Sequence, residues 1–213
     1  IKDKILIVLG LGIARKETKK IYNFLNSQDR FNFDYESDLQ NFSWDNSENI
    51  IVNRINELEN RLYNNKKSDK SFTTTGDVAF YFLPYMELLI NNFPFLKFIS
   101  TKKSKKNTFN DIMYDIQTNN SVFSRTFMFK KKYKNHWLNH DGSNWEKDYI
   151  LDKCYPKFSN NDLESSINSY IDMYIFELKK LQKKYPKNIK VIFSDELDSK
   201  YGAKKILNFI ERK

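Results

Sequence analysis

The segment from Lys4 to Ser27, KILIVLGLGIARKETKKIYNFLNS, constrains the fold more than any other part of the chain. Its continuous apolar run, Ile5 to Leu9, predicts a buried strand. Gly10 and Gly12 predict a turn, and Arg15-Lys16-Glu17-Thr18-Lys19-Lys20 forms a basic polar segment. Ile21, Phe24 and Leu25 then return at helical spacing. Strand, glycine turn and helix together make the layout of an anion-binding loop, in which backbone N–H groups and the positive end of a helix converge on one place. Two well-known glycine patterns do not fit. G-x-x-x-x-G-K-[ST] fails because Arg15 stands at the second Gly and Glu17 follows Lys16; G-x-G-x-x-G fails at Arg15 as well. The plainer alternative is the first strand of an α/β sheet followed by a basic helix start.

Only five glycines occur in 213 residues, which makes the pair at Gly10 and Gly12 informative. The net charge of +9, from 36 basic and 27 acidic side chains, favours anionic partners: nucleotides, sulfate or phosphate groups, nucleic acid or acidic glycans. Cys154 is the single cysteine, so no internal disulfide forms; this fits a reducing compartment and a cytoplasmic location. No apolar run reaches the roughly 18 residues that a membrane helix needs. The 18 Phe and 13 Tyr supply the volume for a sizeable core in one domain, residues 1–213.

Further along, residues 28–44 read as a polar, aromatic loop carrying Asp34, Glu36 and Asp38, and residues 47–64 as an amphipathic helix. Residues 72–75 form a short β-rich stretch ahead of Gly76-Asp77. Pro84 suits the first turn of a helix containing Met86, Leu88, Leu89 and Ile90. LKFIST, residues 96–101, reads as a second buried strand; a basic turn and a helix through Phe109, Ile112, Met113 and Ile116 follow it. Residues 128–158 are irregular, with a basic run from Lys130 to Lys134. Ser159 and Asp162 predict the start of a long helix closed by Pro186. Val191–Phe193 is a third apolar strand, and residues 203–211 a terminal helix. Strands alternating with helices predict an α/β fold with a central, largely parallel sheet.

The order of motifs over most of the chain resembles the sulfotransferases that use 3′-phosphoadenosine 5′-phosphosulfate (PAPS), in particular the sulfotransferase-like proteins of bacteria. That family opens with a strand and an R-S-G-T-T loop that holds the 5′-phosphosulfate; Ala14-Arg15-Lys16-Glu17-Thr18-Lys19 falls at that place. Tyr81-Phe82-Leu83-Pro84-Tyr85-Met86-Glu87 is similar to a "YLPYxE" helix start, and Lys97–Ser104 followed by Thr108 to a "KFIxLKRD" strand and its helix. Trp137 to Trp145 and Pro156-Lys157-Phe158 are similar to "W-x-x-H-D-G-S-x-W" and "PKF". The resemblance implies a P-loop-type three-layer αβα fold. It implies PAPS as donor without a metal, and a hydroxyl acceptor, glycan or small molecule. The donor-binding set it implies is Gly12, Arg15, Lys16, Glu17, Thr18, Lys19, Lys103, Asp111 and Lys157. Lys16, Glu17 and Lys19 replace Ser, Gly and Thr of the family loop, and Lys103 and Asp111 replace an Arg and a Ser at the 3′-phosphate site.

Within that reading Arg15 and Lys16 stabilise charge on the leaving phosphate, and replacing Arg15 removes donor binding with little effect on stability. Glu36 is the implied general base, with Asp77 and His140 as alternatives. His136 and His140 have i, i+4 spacing, but no further His or Cys pair completes a zinc site. Three other readings stay open: a phosphotransferase with a modified loop that needs Mg²⁺ and ATP, a basic nucleic-acid-binding protein, and a catalytically altered nucleotide-binding protein of the same fold.

Overall fold

The computed structural model describes residues 6–65, 72–118, 133–139, 145–159 and 162–212. Five parallel strands form the central sheet in the order β2-β3-β1-β4-β7: β1 (Leu6–Leu11), β2 (Phe31–Tyr35), β3 (Thr74–Val78), β4 (Lys97–Lys102) and β7 (Ile189–Phe193). Two short strands, β5 (Tyr133–Lys134) and β6 (Trp145–Glu146), pair with each other outside it. The helices are α1 (Arg15–Asn26), α2 (Glu48–Asn65), α3 (Met86–Asn92), α4 (Lys105–Thr118), α5 (Leu163–Lys184) and α6 (Lys200–Glu211).

The strand order dictates the layers. Only the β1-to-β2 connection runs toward the β2 edge, and its helix α1 lies on one face; the connections running the other way place α2 to α5 on the opposite face, as a uniform crossover hand requires. The terminal helix α6 then returns to the α1 face. Alternation along β1 serves both layers. Ile7, Leu9 and Leu11 enter the core with α2 to α5, and Val8 enters the core with α1 and α6. A strand buried on both faces therefore reads as an unbroken apolar run.

Several boundaries differ from the sequence reading. β1 runs through Gly10, so the turn is Gly12–Ala14 alone. A Cβ on Gly10 would sit 2.9 Å from Ile21 Cγ2, so this glycine serves close helix-on-strand packing rather than a bend. β2 lies inside the segment expected to be a loop. It is an edge strand, and its Phe31, Phe33 and Tyr35 alternate with polar residues toward the α1 layer. Gly76 and Asp77 lie within β3 rather than after it. Pro84 belongs to a 3₁₀ turn, residues 80–85, that precedes α3. α5 begins one turn later than Ser159, capped by the Asp162 side chain accepting from the Ser165 N–H at 2.8 Å. His140, Asp141 and Gly142, with Lys130 to Lys132, lie outside the described residues.

The connection from β1 leaves toward β2, and that from β4 leaves toward β7. The crevice between the carboxyl ends of these neighbouring strands is where open α/β sheets bind ligands. Close packing beside it is tight at Gly76, where a Cβ would come within 1.7 Å of the Val8 carbonyl oxygen. Gly76→Ala should destabilise the protein by about 3 kcal/mol, read as a shifted midpoint in urea, because the clash is with backbone that cannot rotate away.

Candidate functional site

The crevice is built from the start of α1. Its N-cap is Ala14, which carries no side-chain oxygen, so the first-turn N–H groups have no side-chain cap; the Glu17 N–H donates to the Ala14 carbonyl at 3.0 Å, which leaves those of Arg15 and Lys16 at the helix start. Gly12 lets the turn lie against that helix, since a Cβ there would be 2.7 Å from Glu17 Cβ and 3.0 Å from the Thr18 N. The Tyr170 hydroxyl of α5 donates to the Ile13 carbonyl at 3.1 Å and fixes the turn from behind.

The residues singled out in the sequence then part ways. Arg15 and Lys16 are the first two residues of α1 rather than part of a loop, and both line an open groove of about 710 Å³ together with Lys19, Lys20 and Lys103. Glu17 turns inward and is buried. Its Oε2 accepts from Thr101 Oγ1 at 2.5 Å, and its Oε1 ion-pairs with Lys103 Nζ at 2.5 Å. Thr18 is also buried; its hydroxyl donates back to the Arg15 carbonyl at 2.9 Å and lies 3.1 Å from the Tyr35 hydroxyl. Lys19 holds its ammonium over the rings of Tyr22 and Tyr35, at 4.7 and 4.6 Å. Lys157 donates to the His136 carbonyl at 2.6 Å and does not line the groove.

Most of these cations already hold a carboxylate. Arg15 makes two bonds to Glu36, Nε to Oε1 at 3.2 Å and Nη2 to Oε2 at 2.7 Å. Asp111 of α4 accepts from Lys16 at 2.6 Å and from Lys103 at 2.8 Å. Burial works to raise the Asp111 carboxyl, but the two ammonium groups outweigh it and hold it below the usual range. Asp111 is thus bracketed by two lysines, which offset its negative charge. Asp115, one turn further along α4, drew no attention in the sequence. It faces the same groove, and burial and Asp111 push its carboxyl upward.

Glu36 reaches Arg15 because its backbone sits in the left-handed region, φ 50°, as does Asp38 at 63°. A buried network pins this turn. Arg54 of α2 donates Nε to Asp77 Oδ2 at 3.1 Å and Nη2 to Ser37 Oγ at 3.0 Å, and it also pairs with Asp34. Asp34 and Asp77 face each other across β2 and β3, and Arg61 adds a bond to Asp34 at 2.6 Å. Asp77 is fully buried, so it cannot reach a substrate as a base. Burial, opposed by Arg54, pushes its carboxyl up to about 6.

A second, more enclosed cavity of about 320 Å³ adjoins the groove and shares Arg15 and Asp115 with it. His136, Trp137 and Tyr155 contribute to its wall. Among the described residues no group of three or more His, Cys, Asp or Glu side chains is placed to hold a metal ion.

No family model matches the chain, and no curated protein matches its sequence. Among solved structures, the fold is similar to the crystal structure of a sulfotransferase from Alicyclobacillus acidocaldarius, with a TM-score of 0.54 and 11% identity, over 99% of this chain and 82% of that one. At that identity the likeness is one of fold.

Two outcomes follow from the ion pairs. Lys103→Met leaves the Glu17 carboxylate buried without its cation and should cost about 3 kcal/mol, lowering Tm by about 6–12 °C in calorimetry. Asp77 has a folded-state pKa above its unfolded value, so its contribution to stability is complete below about pH 4 and is lost as pH rises through about 6. Urea midpoints measured across that window should fall more steeply for the wild type than for Asp77→Asn.

Proposed function

We propose that this protein transfers a sulfuryl group from PAPS to a hydroxyl acceptor, with the donor's anionic groups held in the groove at the start of α1. The observation that carries this reading is the convergence of Arg15, Lys16 and Lys103 with an uncapped helix start, at the switch point between β1 and β4. The likeness in fold to a sulfotransferase, and the order of motifs in the sequence, support the same choice of chemistry.

The residues present fit a polyanionic nucleotide. When bound, the donor supplies a sulfuryl group on a phosphate leaving group, and the need of that chemistry is cationic stabilisation of the leaving oxygen. Arg15, at the first position of α1, meets that need with the exposed part of a guanidinium that Glu36 holds through Nε and Nη2. Lys16 and Lys103 flank it, with Asp111 keeping the two ammonium groups apart and aimed. Thr18 supports Arg15 by closing the first helical turn rather than by touching the ligand. With both oxygens on Arg15, Glu36 suits holding that guanidinium in place better than taking a proton. A second reading keeps the nucleotide but not the reaction: the acidic partners of Arg15, Lys16 and Lys103 already neutralise much of the groove, which suits a binding protein of the same fold.

The geometry also changes the experiment that the sequence suggests. Arg15→Ala alone strands the Glu36 carboxylate, whose side chain is only 4% exposed, so a loss of binding would be confounded by a loss of stability. The paired change Arg15→Ala with Glu36→Gln removes both charges together. Calorimetric titration with 3′-phosphoadenosine 5′-phosphate, without Mg²⁺, should show binding to the wild type that ATP does not match. The paired variant should bind about 10- to 100-fold more weakly while keeping its Tm, as expected for loss of one charged hydrogen-bonding group. Equal affinity for ATP, or full-strength binding by the paired variant, would overturn the donor site.

A further inference from the structure

Strand β7 ends the sheet, so one of its edges has no neighbouring strand. The Phe98 N–H of β4 donates to the Asn188 carbonyl at 2.7 Å, which sets the register of this parallel pair. Alternate residues of a strand turn their backbone groups to the same neighbour. Asn188, Lys190 and Ile192 therefore face β4, while Ile189, Val191 and Phe193 face outward. Two of the outward N–H groups are used: that of Ile189 donates to the Tyr185 carbonyl at 3.1 Å, and that of Phe193 to Glu196 Oε1 at 3.3 Å. The Val191 N–H and the carbonyls of Ile189 and Val191 have no partner among the described residues.

Side chains alternate across this edge, and the two sides differ in character. On the α6 side Lys190 opens onto a groove of about 380 Å³ shared with Lys204, Lys205 and Arg212, and no acidic side chain lines it. Lys205 is held by Glu196 at 3.0 Å, but Lys190, Lys204 and Arg212 form no ion pair among the described residues. Tyr201, 75% exposed, lines the same groove. On the α5 side Val191 lines a mainly apolar cavity of about 70 Å³ with Ile175 and Leu178. Phe193, on that same side of the strand, is 55% exposed.

We propose that the outer edge of β7 is a docking surface for an extended acidic segment of another protein, added to the sheet as an extra strand. Its acidic side chains lie toward α6 and its apolar ones toward α5. The inference is independent of the sulfuryl-transfer reading. In strand addition the backbone bonds supply affinity and the pockets for alternate side chains supply specificity, and both are present here. Charge names the partner. An open edge invites pairing between copies, and a lysine on it resists that, since a second copy brings the same cations. An acidic strand meets those cations with opposite charge. A nucleic acid would also meet them, but the outward backbone groups and the apolar side of the edge favour a peptide.

The test uses the full chain labelled with ¹⁵N and a blocked peptide of alternating Glu and Val, titrated by calorimetry and followed by amide NMR. The peptide should bind and move the Val191 N–H resonance downfield, as a new hydrogen bond does. A Lys–Val peptide, and a Glu–Val peptide N-methylated throughout, should each bind at least about 10-fold more weakly. Val191→Pro removes the outward N–H without touching the ladder to β4, and should weaken the Glu–Val peptide to a similar extent. The paired change Lys190→Glu with Lys204→Glu keeps the test standing if that variant does not fold. It should weaken the Glu–Val peptide at least about 10-fold and favour the Lys–Val peptide, with Tm within about 2 °C of wild type. No binding of the Glu–Val peptide to the wild type, equal binding of its N-methylated form, or an unmoved Val191 N–H overturns the proposal. A single-stranded oligonucleotide that binds more tightly than the peptide, and is lost in the charge-reversed pair, overturns it as well and assigns the surface to nucleic acid.

Discussion

The site depends on a carboxylate that is almost wholly withdrawn from solvent. Glu17 reaches from the first turn of α1 to β4, where Thr101 and Lys103 hold it. Leaving that charge unpaired inside the protein would be expensive, so the helix start cannot drift from the end of β4. Asp111 extends the chain of charges from Lys103 to Lys16, back on α1. Two elements that flank the switch point are thereby bolted together by alternating charges. The groove between them is a fixed surface with its cations already aimed. The cost is affinity: an anion entering the groove competes with carboxylates that are part of the fold.

Arg15 is the exception, because its partner comes from a different layer of constraint. Glu36 is held out from the end of β2 on a left-handed backbone, and that turn is kept in place by Arg54, Asp34 and Asp77. The pairing is bidentate, but 43% of the Arg15 side chain remains exposed. Part of the guanidinium is therefore open to the groove while Glu36 keeps its hold, whereas Lys103 is shared between the buried Glu17 and Asp111 and is mostly committed to the fold.

Arg15 and Asp115 border both spaces, the open basic groove and the enclosed apolar cavity.

The layered α/β plan was legible because burial on both faces leaves a continuous apolar run in β1 and a largely buried one in β4. β2 escaped notice for the opposite reason: an edge strand carries polar residues between its aromatics, and FNFDY reads as loop until its neighbour is known. That Arg15 and Lys16 open a helix after the first strand could be read from the sequence. Their partners could not, since Lys16 and Asp111 are 95 positions apart. The spacing of His136 and His140 pointed along the chain, while the ring's actual partner is Asp152, 16 positions away. Sequence by itself determined that β1, β4 and β7 are strands, which helix start is basic, and that the charge favours anions. Local periodicity and composition are properties of contiguous residues. Only the tertiary structure decided which carboxylate neutralises which cation, which glycine packs rather than turns, and which histidine is oriented. Those depend on how the crossovers bring distant ends to one crevice, and on the electrostatic cost of burying any charge left alone there.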